Sequence, residues 1–357
     1  MASLKHCWLA AAALTASFTL AHSALAKAET QKLDRAHKAK PEAIAAPRWT
    51  LNDLLASPIK PFIVGHRGSG ANSDSDAGPL ENTLASVKAA YRLGANAVEV
   101  DVVMTKDGHV VALHDDYLPD HSCVNQLTLD ELKASHPQVP KLEQILKAAR
   151  KQAEKSFFTS GMVSIEIKAP APLCDPADST SNALTDAVIN TVKDAGAQDL
   201  VWLESFSPAI LQRAAQQAPE IHRALTASVL QLLTKEQAEA ATGLPIALID
   251  KDAGFSLQWI EAGLFYRLPA YDGLEQIVTT ALALGASTVV LDADLLNLLD
   301  SVLPGTAAGF VGQLKSLELS VMVYTVNTAQ SWLHFSAMGA DGIVTDDIRT
   351  ALELQTF

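Results

Sequence analysis

The chain is poor in cysteine, in aromatic residues and in basic runs. The shortages of cysteine and of basic runs each exclude a class of protein. Three cysteines in 357 residues exclude a disulfide-dense scaffold. Lysine and arginine total 27 against 40 acidic residues, which gives a formal net charge of −13. Such an acidic chain repels the phosphate backbone of nucleic acids, so nucleic acid is not expected as a partner.

Long apolar runs are missing except at the N-terminus. There, Lys5 precedes an apolar, small-residue stretch that ends in Ala24-Leu25-Ala26. This layout predicts a signal peptide over residues 1–26, cleaved after Ala26, and therefore export to the periplasm or the medium. The alternative, a membrane anchor, fits poorly because the run is short and interrupted by polar residues. We expect a flexible leader over 27–48 and one folded domain over 49–357.

Strand-like and helix-like segments alternate through that domain, after a short helix expected at 49–55. The strand-like segments are 61–65, 95–105, 163–168, 200–205, 244–249, 288–291, 321–326 and 342–344. The helix-like segments are 82–93, 182–195, 208–217, 234–242, 273–284, 306–317 and 329–338. About eight repeats predict an α/β fold of the closed (β/α)₈ TIM-barrel type. The alternative is a doubly wound sheet, but its G-x-G-x-x-G signature is absent.

Two strands carry acidic residues on one face. In Val98-Glu99-Val100-Asp101-Val102 the acids share the face opposite the valines, because side chains alternate along a strand. Glu166 and Lys168 repeat this arrangement. Neighbouring carboxylates in a confined site stay ionised most readily around a cation. A solvated strand face is the alternative for one such strand, and a second strand makes it weaker.

Two histidines are candidates for acid–base chemistry. A two-residue Asp107-Gly108 loop between strand-like runs predicts a β-hairpin in which Asp101 lies opposite His114. His66-Arg67-Gly68 follows the first strand, where glycine permits close approach of a ligand and an arginine fork suits phosphate oxygens.

These motifs, in order, resemble the glycerophosphodiester phosphodiesterase family. The resemblance covers residues 61–352 and rests on His66-Arg67-Gly68, Leu80-Glu81-Asn82-Thr83, Glu99-Val100-Asp101-Val102, Thr105-Lys106-Asp107-Gly108, His114-Asp115, Glu166-Ile167-Lys168, Tyr324-Thr325-Val326-Asn327 and 339–346. The chain departs from the family at Leu80, where proline is usual, and at Tyr324, where tryptophan is usual.

The resemblance implies a metal-dependent hydrolase of phosphodiesters. It implies that His66 and His114 are the catalytic pair, and that Glu99, Asp101 and Glu166 hold one divalent cation, Ca²⁺ or Mg²⁺. It also implies that Arg67 and Lys168 contact phosphate, and that Glu81, Asn82 and Tyr324 shape the site. The expected substrate is a small glycerophosphodiester or a lysophospholipid, cleaved to an alcohol and glycerol 3-phosphate.

Two rival functions stay open on sequence grounds. One is an exported phospholipase D-like or phosphoinositide-type enzyme, which exposed Trp259, Phe265 and Tyr266 at the barrel mouth would favour. The other is a barrel that binds phosphodiesters without cleaving them, which the presence of both histidines disfavours.

The last two cysteines are expected to pair. Cys123 lies nine residues after His114, and Cys174 lies eight after Glu166, so both fall in loops that leave the catalytic face of the barrel. Export would allow them to form a disulfide, and two free thiols are the alternative.

Overall fold

Eight parallel strands form the predicted closed barrel. The computed structural model describes residues 48–74, 76, 78–168, 174–175, 181–232 and 271–355, together with the backbone of three short strands between 246 and 268. The barrel strands are β1 (Phe62–Gly65), β2 (Ala97–Met104), β4 (Met162–Ile167), β5 (Val201–Ser205), β6 (His222–Ala227), β10 (Thr288–Asp292), β11 (Ser320–Tyr324) and β12 (Gly342–Thr345). Pairing of β1 with both β2 and β12 closes the sheet.

Helices pack around the barrel and bury its outward-facing side chains. They are α1 (Leu51–Leu55), α2 (Leu84–Leu93), α3 (Leu129–Ser135), α4 (Leu142–Lys155), α5 (Asn182–Asp194), α6 (Pro208–Gln217), α7 (Leu274–Ala283), α8 (Ala293–Val302), α9 (Thr306–Ser316), α10 (Ala329–Met338) and α11 (Ile348–Gln355). In α2 the Thr83 hydroxyl caps the start, and Gly94, with φ 113°, ends the helix as the sequence predicts. No helix within the described residues is long and apolar enough to cross a membrane.

The predicted fifth strand is wrong. The barrel position between β5 and β10 belongs to β6, not to 244–249. The described part of that segment, Ile246–Ala247, is strand β7, which pairs with β8 (Leu257–Trp259). β8 in turn pairs with β9 (Arg267–Leu268), and the three form a separate antiparallel sheet. β6 opens with His222 and Arg223 and lacks a β-branched run, so neighbouring strands rather than local propensity specify it. The predicted helix at 234–242 lies outside the described residues.

The predicted register of the β2–β3 hairpin is also wrong, by one residue. β3 (Val110–Ala112) pairs antiparallel with β2 so that Val102 faces Ala112. Asp101 therefore lies opposite Leu113, whose amide donates to the Asp101 carbonyl at 3.1 Å. His114 follows two residues after β3 ends, so it is not part of the ladder.

A three-residue loop causes the shift. The amide of Thr105 donates to the carbonyl of His109 at 2.9 Å, and the amide of Gly108 donates back to Thr105 at 2.9 Å. Gly108 has φ 83°, a left-handed conformation that closes a three-residue hairpin loop. The extra loop residue moves every pair on the far side by one position.

The segment after β3 forms a small extension with its own apolar core, built on Val103, Val111, Leu118, Val124, Leu132 and Val139. Beside this core, Cys123 and Cys174 are joined in a disulfide with a Cα–Cα distance of 5.4 Å, and Tyr117 packs against it. The disulfide ties the extension after β3 to the loop that follows β4. The sequence predicts this pairing.

We predict that the disulfide contributes substantially to stability. It closes a chain separation of 51 residues, for which the loop-entropy model gives about 4 kcal/mol. The double variant Cys123→Ala/Cys174→Ala should lose about 2–4 kcal/mol of unfolding free energy in urea denaturation. Reductant should shift the midpoint of the wild type similarly and leave the variant unchanged. Equal midpoints for the oxidised wild type and the variant would contradict the prediction.

Candidate active site

Three buried carboxylates converge at the carboxyl-terminal end of the barrel. Glu99 and Asp101 lie on β2, and Glu166 lies at the matching level of β4, where it faces Asp101 across the ladder. Each offers an oxygen within 4.8 Å of those of the other two. Glu99 is 4% exposed and Asp101 is 2% exposed, because the valines that alternate with them pack outward. This is the only cluster of its kind in the part of the chain that the structure describes.

The loop after β1 supplies hydrogen bonds to this cluster. The amide of Arg67 donates to Glu99 Oε2 at 2.8 Å. Arg67 has φ 48°, and a side chain on the preceding Gly65 would meet the carbonyl oxygen of Gly68 at 1.9 Å. The tight turn thus requires glycine at position 65 and aims a backbone donor at a carboxylate.

Asn82 fixes Asp101 from the loop before α2. Its Nδ2 donates to Asp101 Oδ2 at 2.8 Å, and its Oδ1 accepts from the Asp101 amide at 3.0 Å. Asn82 has φ 54°, a conformation that asparagine tolerates better than most residues. The two reciprocal bonds fix the carboxylate on its strand and orient its other oxygen, Oδ1.

Two cations border the cluster. Lys168 Nζ lies 3.0 Å from Asp101 Oδ1 and 3.0 Å from Glu166 Oε1. Burial acts to raise the pKa of Asp101, but the charges of Lys168 and His114 outweigh it and lower that pKa. Burial likewise acts to lower the pKa of Lys168, and the neighbouring acids outweigh it and raise the pKa instead. Asp101 and Lys168 are therefore both charged at neutral pH.

Arg67 is the second cation. Its Nη1 pairs with Glu81 Oε1 at 2.9 Å, and its Nε lies 3.6 Å from Asp101 Oδ2 without forming a hydrogen bond. Glu81 thus orients the guanidinium, whose remaining donors are available to an oxygen-rich anion.

The cluster fits a divalent cation. Glu99 Oε1 and Glu166 Oε1 are buried without a hydrogen bond, and Glu166 Oε1 is in ion-pair contact with Lys168 Nζ at 3.0 Å. Burial, followed by the charges of Asp101 and Glu166, raises the pKa of Glu99 well above its usual value. Unsatisfied carboxylate oxygens that repel one another are what a hard cation with oxygen ligands relieves. The residues that would hold it are Glu99, Asp101 and Glu166.

His66 is fixed by a carboxylate from the other end of the chain. Its Nδ1 lies 2.9 Å from Asp346 Oδ1, just after β12. The same carboxylate accepts the Ala71 amide at 2.6 Å and Asn327 Nδ2 at 2.6 Å. Burial acts to raise the pKa of Asp346, but these bonds outweigh it and lower the pKa to about 2. An ionised Asp346 holds a proton on Nδ1 of His66, so Nε2 is the acceptor nitrogen of the neutral ring.

His114 has a similar partner from its own loop. Its Nδ1 lies 2.8 Å from Asp115 Oδ1. When His114 carries a positive charge, that charge lowers the pKa of Asp101. His114 therefore lies near the carboxylate cluster despite the shifted hairpin register. Each histidine thus has one nitrogen bound by an aspartate.

Sequence reasoning assigned no role to Asp346 or to Glu204. Glu204 on β5 is 3% exposed and accepts hydrogen bonds from Ser164 and from Thr226 Oγ1, the latter at 2.8 Å. Burial and then the charge of Glu166 raise the pKa of Glu204 to about 7. A lone acid in an otherwise apolar strand, Val-Trp-Leu-Glu-Ser, was the available signal. No local signal links Asp346 to His66.

Tyr324 lies on the opposite wall of the barrel mouth. Burial and then the charge of Asp292 raise its pKa well above the usual value, so the phenol stays neutral. The carboxylate of Asp292 accepts the Ser228 hydroxyl at 2.9 Å, and Phe206 packs edge-on against the tyrosine ring. This wall is polar, with a neutral phenol and a carboxyl group but no basic group among these residues. The side chains of Trp259, Phe265 and Tyr266, weighed as a lipid-contacting rim, lie outside the described residues.

Known proteins resemble this chain in sequence. A Caldanaerobacter subterraneus subsp. tengcongensis glycerophosphodiester phosphodiesterase is 27% identical over 178 residues, which are 46% of this chain and 65% of that relative. A Bacillus subtilis glycerophosphodiester phosphodiesterase is 24% identical over 269 residues, which are 69% of this chain and 82% of that relative.

Solved structures show the same barrel. A Silicibacter pomeroyi putative glycerophosphoryl diester phosphodiesterase has a TM-score of 0.62 at 19% identity, covering 87% of this chain and 98% of its own. An Oleispira antarctica phosphodiesterase in complex with the product sn-glycerol-3-phosphate has a TM-score of 0.57 at 19% identity, covering 83% and 97%. The model of the Glycerophosphoryl diester phosphodiesterase family matches residues 66–350, most of the chain. The chain therefore belongs to that family.

Proposed function

We propose that this protein hydrolyses glycerophosphodiesters to an alcohol and glycerol 3-phosphate. One observation carries the proposal: three buried carboxylates that can hold a cation stand beside two histidines, each with an aspartate at Nδ1. Family membership and the glycerol-3-phosphate complex of the Oleispira antarctica relative support the same substrate class.

His66 and His114 carry the proton transfers in this proposal. One takes the proton from the attacking oxygen as its bond to phosphorus forms. The other gives a proton to the alcohol oxygen as its bond to phosphorus breaks. The attacking oxygen belongs either to water, which gives glycerol 3-phosphate directly, or to a hydroxyl of the substrate's glycerol. In the second case the first product is a cyclic phosphate, and water then opens the ring to give glycerol 3-phosphate. Asp346 and Asp115 keep each ring in one tautomer and stabilise its charged form.

Arg67 and Lys168 bind the phosphate. Lys168 has three donors, of which the two nearby carboxylates occupy at most two. Arg67 is oriented by Glu81 and presents a planar fork that matches phosphate oxygens. One Ca²⁺ or Mg²⁺ held by Glu99, Asp101 and Glu166 would neutralise charge that develops on the phosphate oxygens. Without these cations an acidic protein would repel an anionic substrate.

Export is part of the proposal. The N-terminal pattern over residues 1–26 supports it, and so does a disulfide, which persists in oxidising compartments. When the full chain is produced in a bacterial host, mass spectrometry of the purified protein should find Lys27 at the N-terminus. Cysteine alkylation without reductant should label neither Cys123 nor Cys174. A chain that retains residues 1–26 would contradict export by cleavage.

We predict that His66→Ala and His114→Ala each lower turnover of glycerophosphoethanolamine by about 10²- to 10⁴-fold, because each removes one proton transfer. Thermal unfolding should change little, since both side chains are partly exposed. His109→Ala, at an exposed position beside the hairpin loop, is the matched control and should retain activity. Near-full activity of either site variant would refute the assigned pair.

We predict that the carboxylate cluster binds one divalent cation. Glu99→Gln, Asp101→Asn and Glu166→Gln should each weaken Ca²⁺ or Mg²⁺ binding by more than about tenfold, because a charged oxygen ligand is lost. Competition with a fluorescent chelator measures this without any turnover. Glu143→Gln, on the exposed face of α4, serves as the control. Unchanged affinity in all three variants would place the cation elsewhere.

A further inference from the structure

A cavity of about 330 Å³ adjoins the active site. It lies between the loop before α2, which contributes Leu80 and Asn82, and the extension after β3, which contributes His114 and the residues following it. We call this cavity the apolar pocket. No step proposed above uses it.

The apolar pocket is continuous with the catalytic residues. His114 lines it directly. Asn82 and Glu81 also line it, and these two side chains hold Asp101 and Arg67 respectively. A phosphodiester bound between the carboxylate cluster and His114 would therefore place one of its two ester groups at the opening of the pocket.

The wall of the pocket is mainly apolar, with Leu80, Leu113, Tyr117, Leu118 and Val139 among its lining residues. Its two lining carboxylates already face basic groups: Glu81 pairs with Arg67, and Asp115 with His114. A cationic alcohol group would have to compete with those partners. An alkyl or aryl group would instead gain by leaving water.

The wall is built into the fold. Leu118 and Val139 belong to the core of the extension. The Leu118 amide donates a hydrogen bond to the Ser122 carbonyl at 2.8 Å. Tyr117 packs on the Cys123–Cys174 disulfide and forms an antiparallel β-bridge with Cys123 through the backbone. The polar wall of Tyr324, Asp292 and Ser228 suits the hydroxyls of glycerol better than this pocket does.

We propose that the apolar pocket receives the alcohol group of the substrate and selects phosphodiesters whose alcohol carries an alkyl or aryl group. This rests on the proposed hydrolase function and names its substrate class. Each methylene that enters the pocket should raise kcat/KM by about fourfold, from a burial free energy of about 0.8 kcal/mol per methylene, until the cavity is filled.

The test compares the methyl, butyl and octyl esters of glycerol 3-phosphate, with glycerophosphoethanolamine as the polar reference. The octyl-to-methyl ratio of kcat/KM should exceed about 10² in the wild type. Leu80→Gln keeps the side-chain size and adds an amide to the wall, so this ratio should fall about tenfold. Gln138→Leu, at an exposed position on the rim of the pocket, should raise the ratio. Leu333→Gln, at an exposed position of α10, is the control and should leave the ratio unchanged.

Equal kcat/KM for all three alkyl esters, with ready hydrolysis of glycerophosphoethanolamine, would overturn the pocket assignment and leave the hydrolase proposal standing. A chain-length preference that Leu80→Gln and Gln138→Leu do not change would also overturn the assignment. Hydrolysis of none of the esters by the cation-loaded protein would overturn both proposals.

Discussion

Mutual repulsion among three buried carboxylates is the constraint on which the site depends. Glu99, Asp101 and Glu166 converge within a few ångströms at the end of two adjacent strands. The protein offsets part of this repulsion with the Lys168 ammonium, and it orients the acids through Asn82 and the Arg67 amide. It leaves oxygens of Glu99 and Glu166 without a hydrogen bond. The remaining imbalance is what a divalent cation would remove.

The loop after β1 is shaped to contact these carboxylates. The turn at Gly65 to Gly68 is tight enough to exclude any side chain at its first position. It brings a backbone donor to Glu99 and sets the Arg67 side chain beside Asp101. It also places His66 next to Asp346, so a single turn positions one histidine, a backbone donor to Glu99 and the arginine proposed to bind phosphate.

The two sides of the mouth differ in polarity because they are built from different elements. The extension after β3 has its own apolar core and is fastened to the loop after β4 by a disulfide. It presents apolar side chains next to His114. The opposite wall comes from the ends of β10 and β11, where Asp292 and Tyr324 keep polar groups in the barrel mouth. An asymmetric phosphodiester, polar at one ester and apolar at the other, matches this difference.

Local sequence was sufficient to predict features that depend on the backbone geometry of a single strand or helix. Alternation along β2 predicts that Glu99 and Asp101 share a face, and Gly94 predicts where α2 ends, because both follow from backbone geometry. The positions of the two cysteines after catalytic-face strands also predict their pairing, but the barrel is what brings their two loops together. Seven of the eight barrel strands follow from apolar runs of this local kind.

Only tertiary structure decided the features that depend on partners distant in the chain. β6 is a strand because β5 and β10 flank it, although its own residues favour no strand. His66 and Asp346 are 280 positions apart and meet because β1 and β12 close the barrel. The hairpin register depended on the left-handed conformation of Gly108, which closes a three-residue loop. The Asp-Gly pair in the sequence predicts a two-residue loop instead. Periodicity reports which way a side chain faces along its own strand, but barrel closure determines what it meets there.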